Sequence, residues 1–293
     1  MKHYCTVVVI SGPGIHCNNR AESQGNLVCL QTCSLGEQQH SLLNAETIRR
    51  ACRDGLTDML GEDKMFRVSD KTDTNSGYGY GSTHTLASIE DGVGELGSVK
   101  AVKEKVDVAL FGLMAVGKTK GDAAINVKLR SVLEVSRAIS CTPFEGTSLF
   151  TQGVNSATGG ISPYNVQIHG TRYMYHITLD LDMIEPEILK ALLTVIFGGL
   201  KVGGNHARNA MSLVPDAAIW NFYNVAGNNK LYTVGLKFPP EKPIDLTEYK
   251  GILSDRGLVE YKTAGVGPNF ETKIGQAPEL ICQQAAQYKA ANS

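Results

Sequence analysis

The 293-residue sequence predicts an α+β fold on a β-α-β-β-α-β plan with large insertions. Three observations predict it. TVVVI near the start and RYMYHITLDL at residues 172–181 are β-rich runs. Each is followed, after an interval, by an apolar-striped helical segment, LNAETIRRACRDGLTDML and then PEILKALLTVIF. AAIWNFYNV then supplies a closing strand. A hydrophobic content of 42% is enough for a sizeable core, and the net charge of −1 means that any anion-binding surface must be local.

In chain order, residues 4–11 form a strand ended by Gly12-Pro13-Gly14, and a polar loop, HCNNRAESQGN, follows. LVCLQTC at residues 27–33 reads as a second short strand. Residues 42–60 read as a helix capped by Asn44, with Ile48, Ala51, Cys52, Leu56, Met59 and Leu60 as its apolar stripe. Arg49, Arg50 and Arg53 lie beside that stripe, at spacings that make them neighbours. Residues 69–97 lack a period and read as an insertion, followed by a short helix at 98–105. VDVALFGLM reads as an apolar strand running into a GKTKGD turn. VKLRSVLEVSRAIS reads as extended, because of its Val-rich alternation. Residues 144–170 read as a protruding hairpin. After RYMYHITLDLDMI, Pro186 opens a helix that stops at the Gly-rich basic loop GGLKVGGNHARNAM. AAIWNFYNV and KLYTVGLKF read as a hairpin closed by AGNN, and residues 246–254 and 277–289 as two final helices.

Residues 112–119, GLMAVGKT, match the phosphate-loop pattern G-x-x-x-x-G-K-[ST]. The context argues against nucleotide hydrolysis. The variable positions are Leu113, Met114, Ala115 and Val116, mostly bulky and apolar, and Lys120-Gly121-Asp122 is a poor start for the helix that must face the anion. Seven cysteines without a C-x-x-C pair predict reduced thiols and no zinc site. The first apolar stretch is too short for a signal peptide, and no run approaches the ~20 residues of a spanning helix. The expected location is the cytoplasm, with no membrane partner.

Several segments resemble one family, in its order. LNAETIRRACRD is similar to the S-A-Q-x-[IL]-R-R-A-x-R helix of the DevR-type backbone subunit of type I CRISPR Cascade complexes, a member of the RAMP superfamily. DVALFGLM resembles its D-x-x-L-F-G-Y-M, and RSVLEVSRAIS its R-x-x-L-x-V-S-x-A-I-S. ISGPGIHCNN resembles its first strand and Asn-containing loop, and GGLKVGGNHARNAM its Gly-rich basic loop. Asn44, Glu46 and Leu113 depart from the usual Ser, Gln and aromatic residue.

The resemblance implies a ferredoxin-like, RRM-like palm at residues 1–60, 106–145 and 170–293, a helical finger insertion at 61–105, and a thumb hairpin at 146–169. It implies a non-catalytic subunit without cofactor or metal. Copies of it stack head-to-tail on a guide CRISPR RNA, beside other Cascade subunits, and present the guide to target DNA. Asn18, Asn19, Arg20, Arg49, Arg50, Arg53, Lys201, Asn205, His206 and Arg208 are the expected RNA-binding residues. Guanidinium groups grip phosphate bidentately, and glycines let a backbone approach it. Phe150 and Ile161 bracket the thumb tip as candidate wedges between bases. Lys118 and Lys120 read as solvated charges. An alternative from another class is a metal-dependent ribonuclease of the related RNA-targeting complexes, using Glu22, Asp70 or Asp73.

Overall fold

The computed structural model describes residues 2–16, 23–24, 27–65, 105–118, 124–154, 161–202, 212–224, 231, 237–258 and 260–292. The insertion expected at 69–97, the helix at 98–105 apart from its last residue, and the AGNN turn lie outside them. So does most of the KLYTVGLKF strand.

The chain begins with β1 (Tyr4–Ser11), then short pieces β2 (Gly14–His16), β3 (Ser23–Gln24), β4 (Leu27–Val28) and β5 (Thr32–Leu35). β6 (Gln38–Leu43) leads into helix α1 (Ala45–Leu60). A short helix α2 (Val106–Phe111) precedes β7 (Leu113–Lys118), β8 (Ala124–Leu129), β9 (Leu133–Val135) and β10 (Ala138–Ser140). The hairpin β11 (Ser148–Val154) and β12 (Ile161–Gln167) comes next, then β13 (His169–Thr171) and β14 (Tyr173–Asp180). α3 (Pro186–Gly198), β15 (Leu200–Lys201), β16 (Ser212–Leu213) and β17 (Pro215–Tyr223) follow. α4 (Thr247–Asp255), β18 (Lys262–Gly265), β19 (Thr272–Lys273) and α5 (Ala277–Asn292) complete the chain.

The main sheet runs β19-β18-β17-β1-β14-β10-β6-β5, with β9 also paired to β14. β1 lies between two antiparallel partners, with Val7 opposite both Ile177 and Trp220. From Val7 to Ile10 both its faces are covered, which is why that stretch is a β-branched run without alternation. On one face Cys5, Val7, Val9, Tyr175, Ile177 and Trp220 pack under α1, α3 and α5. On the other, Val8, Ile10, Met174 and Ile219 pack under Phe238, Ile244 and Leu246 and under Tyr249 and Leu253 of α4. Thr6 is buried on this second face, and its hydroxyl is satisfied by Thr178 Oγ1 at 2.7 Å and Tyr223 Oη at 3.0 Å. Burial pushes the Cys52 and Cys141 thiols up to about 12, so both stay protonated and unreactive. The described cysteines, Cys5, Cys29, Cys33, Cys52, Cys141 and Cys282, are all free.

α1 buries Ile48, Ala51, Cys52 and Leu56, as its periodicity predicts, while Met59 is exposed. It approaches α3 closely at Gly55, where an added Cβ would sit 2.5 Å from Val195 Cγ1. The helix starts later than expected. Leu42 and Leu43 stay in β6, pairing with Ile139 and Ala138 of β10. Asn44 is the N-cap by position, but its side chain makes no capping bond; its carbonyl accepts from Thr47 and Ile48.

Two further expectations are corrected. Residues 27–33 do not form one strand. β4 joins the hairpin by pairing in parallel with β12, and β5 pairs with β6. Between them the Leu30 N–H donates to Gln167 Oε1 at 2.8 Å. VDVALFGLM is not a strand either: Val106–Phe111 is helical, and the chain becomes extended only from Leu113. A six-residue run, apolar except for Asp107, carries no period that separates helix from strand. The change of structure falls at Gly112, whose φ of 70° places it in the left-handed region and whose N–H closes the helix on the Val108 carbonyl.

Candidate nucleic-acid interface

β1 ends at Ser11 where its antiparallel neighbours β14 and β17 begin. The Tyr173 N–H donates to Ser11 Oγ at 2.9 Å, and the Gly12 N–H to the Val214 carbonyl at 2.7 Å. One end of the sheet therefore gathers three segments distant in sequence. β2 leads from it into residues 17–22, which carry Asn18, Asn19 and Arg20. β13, at the foot of the hairpin, pairs with β2, with Thr171 opposite Gly14 and His169 opposite His16. β15 and β16 pair as Leu200 with Leu213 and Lys201 with Ser212, and between them runs the Gly-rich segment that carries Asn205, His206 and Arg208. Lys201 is exposed at the root of that segment. Asn18, Asn19, Arg20, Asn205, His206 and Arg208 themselves lie outside the described residues, but the strands that launch them share one end of the sheet.

The hairpin expected at residues 144–170 is present: β11 and β12 pair antiparallel from Ser148–Gln167 to Val154–Ile161. Phe150 is opposite Asn165 within it, and Ile161 is the first described residue beyond the tip. A buried polar network anchors its foot. Ser41 Oγ bonds His169 Nδ1 at 2.7 Å and the Tyr173 hydroxyl at 2.6 Å. Thr142 Oγ1 bonds Thr171 Oγ1 at 2.8 Å and His169 Nε2 at 3.3 Å. Burial lowers the His169 pKa, so the ring is neutral and bridges the two hydroxyls.

Arg172 is buried beside this network. It donates to the Pro239 and Lys242 carbonyls at 2.8 and 3.1 Å, and lies 3.3 Å from Asp216 Oδ2. Arg172 and the His169 network were missed from the sequence. Polar residues flanking a strand look solvated until the pairing of β13 and β14 buries them.

The α1 arginines have definite protein partners. Arg49 donates to the Phe111 carbonyl at 2.7 Å and the Leu133 carbonyl at 3.3 Å, and its guanidinium carbon lies 5.2 Å from the Phe111 ring centre. Arg53 Nε lies 3.6 Å from the buried Asp107 Oδ2, and the guanidinium is 4.8 Å from the same ring. These two share a face, as their spacing predicts, and that face meets α2 and β9. Arg50 instead forms an i,i+4 pair with Asp54 at 3.6 Å. The other side of α1 packs against β15, at the root of the Gly-rich segment.

The phosphate-loop match is resolved by geometry. A helix precedes it and a hairpin follows, with Lys118 of β7 opposite Ala124 of β8, the reverse of the strand–loop–helix order that phosphate binding needs. Glu22, Asp70 and Asp73 lie outside the described residues. Among the described residues, no group of three or more His, Cys, Asp or Glu side chains is placed to hold a metal ion, and no helix is long and apolar enough to cross a membrane.

No protein-family model matches the chain. It is 29% identical over 231 residues to the CRISPR-associated protein Cas7/Cst2/DevR of Myxococcus xanthus (strain DK1622), covering 75% of this chain and 72% of that protein. Its fold matches a chain of a "CRISPR RNA-guided surveillance complex, pre-nicking" with a TM-score of 0.59 at 11% identity, over 97% of this chain and 99% of the other. A chain of a second CRISPR RNA-guided surveillance complex matches with a TM-score of 0.54 at 15% identity, over the same shares of the two chains. The motifs and the Myxococcus relative agree: this chain is a homologue, at 29% identity, of that Cas7/Cst2/DevR CRISPR-associated protein.

Proposed function

We propose that the chain is a non-catalytic, guide-RNA-binding backbone subunit of a type I CRISPR Cascade complex. Copies polymerise head-to-tail along the guide and hold it for pairing with target DNA. The observation that supports this reading is that β2, which leads into the Asn18–Asn19–Arg20 segment, the foot of the β11–β12 hairpin, and β15 and β16, which flank the Gly-rich basic segment, lie at one end of the sheet. Cations from separate segments around one groove grip a phosphate backbone without reading its sequence, which leaves base pairing to read it.

In this reading the four strands in the order β17-β1-β14-β10, with α1 and α3 as the two crossovers, are a ferredoxin-like palm. Residues 61–105 form the finger and 146–169 the thumb, whose Phe150 or Ile161 wedges between bases. Lys201, Asn205, His206, Arg208 and the three residues of the first loop contact RNA. Arg50 joins them, with its guanidinium 3.6 Å from the Asp54 carboxylate at the partly exposed edge of α1. Arg49 and Arg53 serve the site by fixing α1 to α2.

The direct test is binding of a single-stranded repeat–spacer transcript across a salt series. The proposal expects an affinity that falls steeply with salt, and is refuted by an affinity that salt does not change.

A further inference from the structure

The second face of the main sheet is covered by residues 238–253 only toward the loop end. Beyond Val8 and Ile219 the same face turns polar, and a cavity of about 420 Å³ opens over it. The cavity lies at the Tyr4–Asp180–Tyr223 end of the strands. That is seven residues along β1 from Ser11, roughly 23 Å from the proposed RNA interface at the rise of an extended strand.

We propose that this cavity is a binding site for one nucleobase, presented either as a free nucleoside or as a base projecting from a strand. Four features select that chemistry. First, the Tyr4 and Tyr223 rings stack on one another, with centroids 5.5 Å apart and planes 19° from parallel, and form an aromatic wall. The wall is fixed in place, because Thr6 Oγ1 bonds both the Tyr223 hydroxyl and Thr178 Oγ1.

Second, the His176 imidazole lines the cavity beside the two tyrosines. Burial lowers the pKa of this imidazole, with the Glu134 carboxylate opposing the shift, so the ring is neutral and adds no charge that would draw an anion.

Third, the rim charges cancel. Lys2 pairs with Asp180 at 3.1 Å, and Arg130 with Glu134 at 3.3 Å. A rim of two cations and two carboxylates has no net field to hold an anion, but it offers donors and acceptors to a neutral heteroaromatic ring. Fourth, the volume lies near the lower end of small-molecule sites, which suits a base with its sugar better than a dinucleotide.

The inference does not depend on the backbone-subunit reading, since the cavity and the strands that lead into the loop segments occupy opposite ends of the sheet. Its test uses the full chain with adenosine, guanosine, cytidine and uridine, each titrated by saturation-transfer NMR. At least one is expected to bind saturably. Met183→Trp changes a cavity-lining residue that is 65% exposed, so it narrows the mouth and should leave the melting temperature unchanged. It is expected to weaken binding tenfold or more, and Tyr4→Ala to do the same. Photocrosslinking with 4-thiouridine RNA separates the two sources: a crosslink at Tyr4 identifies a base of a strand, and nucleoside binding without one identifies a free nucleoside. Absence of both saturable binding and a Tyr4 crosslink overturns the proposal. So does binding that Met183→Trp leaves unchanged.

Discussion

Arg53 on α1 and Asp107 on α2 meet at 3.6 Å across a gap of 54 residues, with the Asp107 side chain 1% exposed. The pair joins α1 to the segment that follows residues 66–104. Removing one partner of a buried pair strands the other charge, at a cost of about 3–5 kcal/mol. Asp107→Ala should lower the urea-unfolding free energy by that amount, and Arg53→Met combined with Asp107→Leu should recover much of it. An unchanged urea midpoint in Asp107→Ala would show that the contact contributes nothing.

This contact also decides how the RNA interface is tested. Reversing Arg49 and Arg53 together would place one carboxylate beside Asp107 and another against the Phe111 and Leu133 carbonyls, and lost RNA binding would then report lost folding. Arg50→Gln with Lys201→Glu avoids this, because Lys201 is exposed and Arg50 pairs with the half-exposed Asp54. The double variant should lose no more than about 1 kcal/mol of stability. Its salt slope for RNA binding should fall by about 1.4, the share of two phosphate contacts on a single strand. A slope equal to the parent's would remove both residues from the interface.

Gly112 carries the turn from α2 into β7. An added Cβ would lie 2.5 Å from the Leu129 carbonyl oxygen and 2.8 Å from the Ser131 nitrogen, at a φ that L residues avoid. Gly112→Ala should therefore destabilise by more than the roughly 1–2 kcal/mol of left-handed strain alone, as read from thermal unfolding. Lys118→Ala, in the same phosphate-loop-like stretch, should change neither stability nor ATP turnover. Loss of an ATPase activity on that substitution would restore the nucleotide reading.

His169 and His176 both have pKa values lowered by burial. Above the unfolded value of about 6.5 both states hold these rings neutral. As pH falls below it the unfolded chain takes up protons first, so stability should decline from about pH 6.5 toward the lowered folded values. His169→Gln should flatten that decline. A profile unchanged by the substitution would mean that His169 is not buried as described.

Much of this fold was legible in the sequence. Tyr4–Ser11, Pro186–Gly198 and the hairpin at 148–167 follow from β-branched runs, a helix-opening proline and turn residues, which are local signals. VDVALF was misread because a six-residue run that is apolar except for Asp107 packs as well in a helix as in a strand, and the helix sets Asp107 against Arg53, far away in sequence. The β4–β5 break depends on Gln167, far along the chain. In the site, the spacing of Arg49, Arg50 and Arg53 placed Arg49 and Arg53 on one face but gave no sign of Phe111, whose ring and carbonyl hold these two. The strands that lead into the two basic loops are brought to one end of the sheet by the antiparallel register of β1 with β14 and β17, which is a long-range property.

The central claim, a subunit that repeats along a guide, is tested most directly by nuclease footprinting of a repeat–spacer transcript co-expressed with this chain and its partner subunits. The account predicts protection broken by cleavable positions at one regular interval, with the number of intervals growing as the transcript is lengthened. Uniform degradation of the transcript, or a single protected patch whose size is independent of its length, would contradict it.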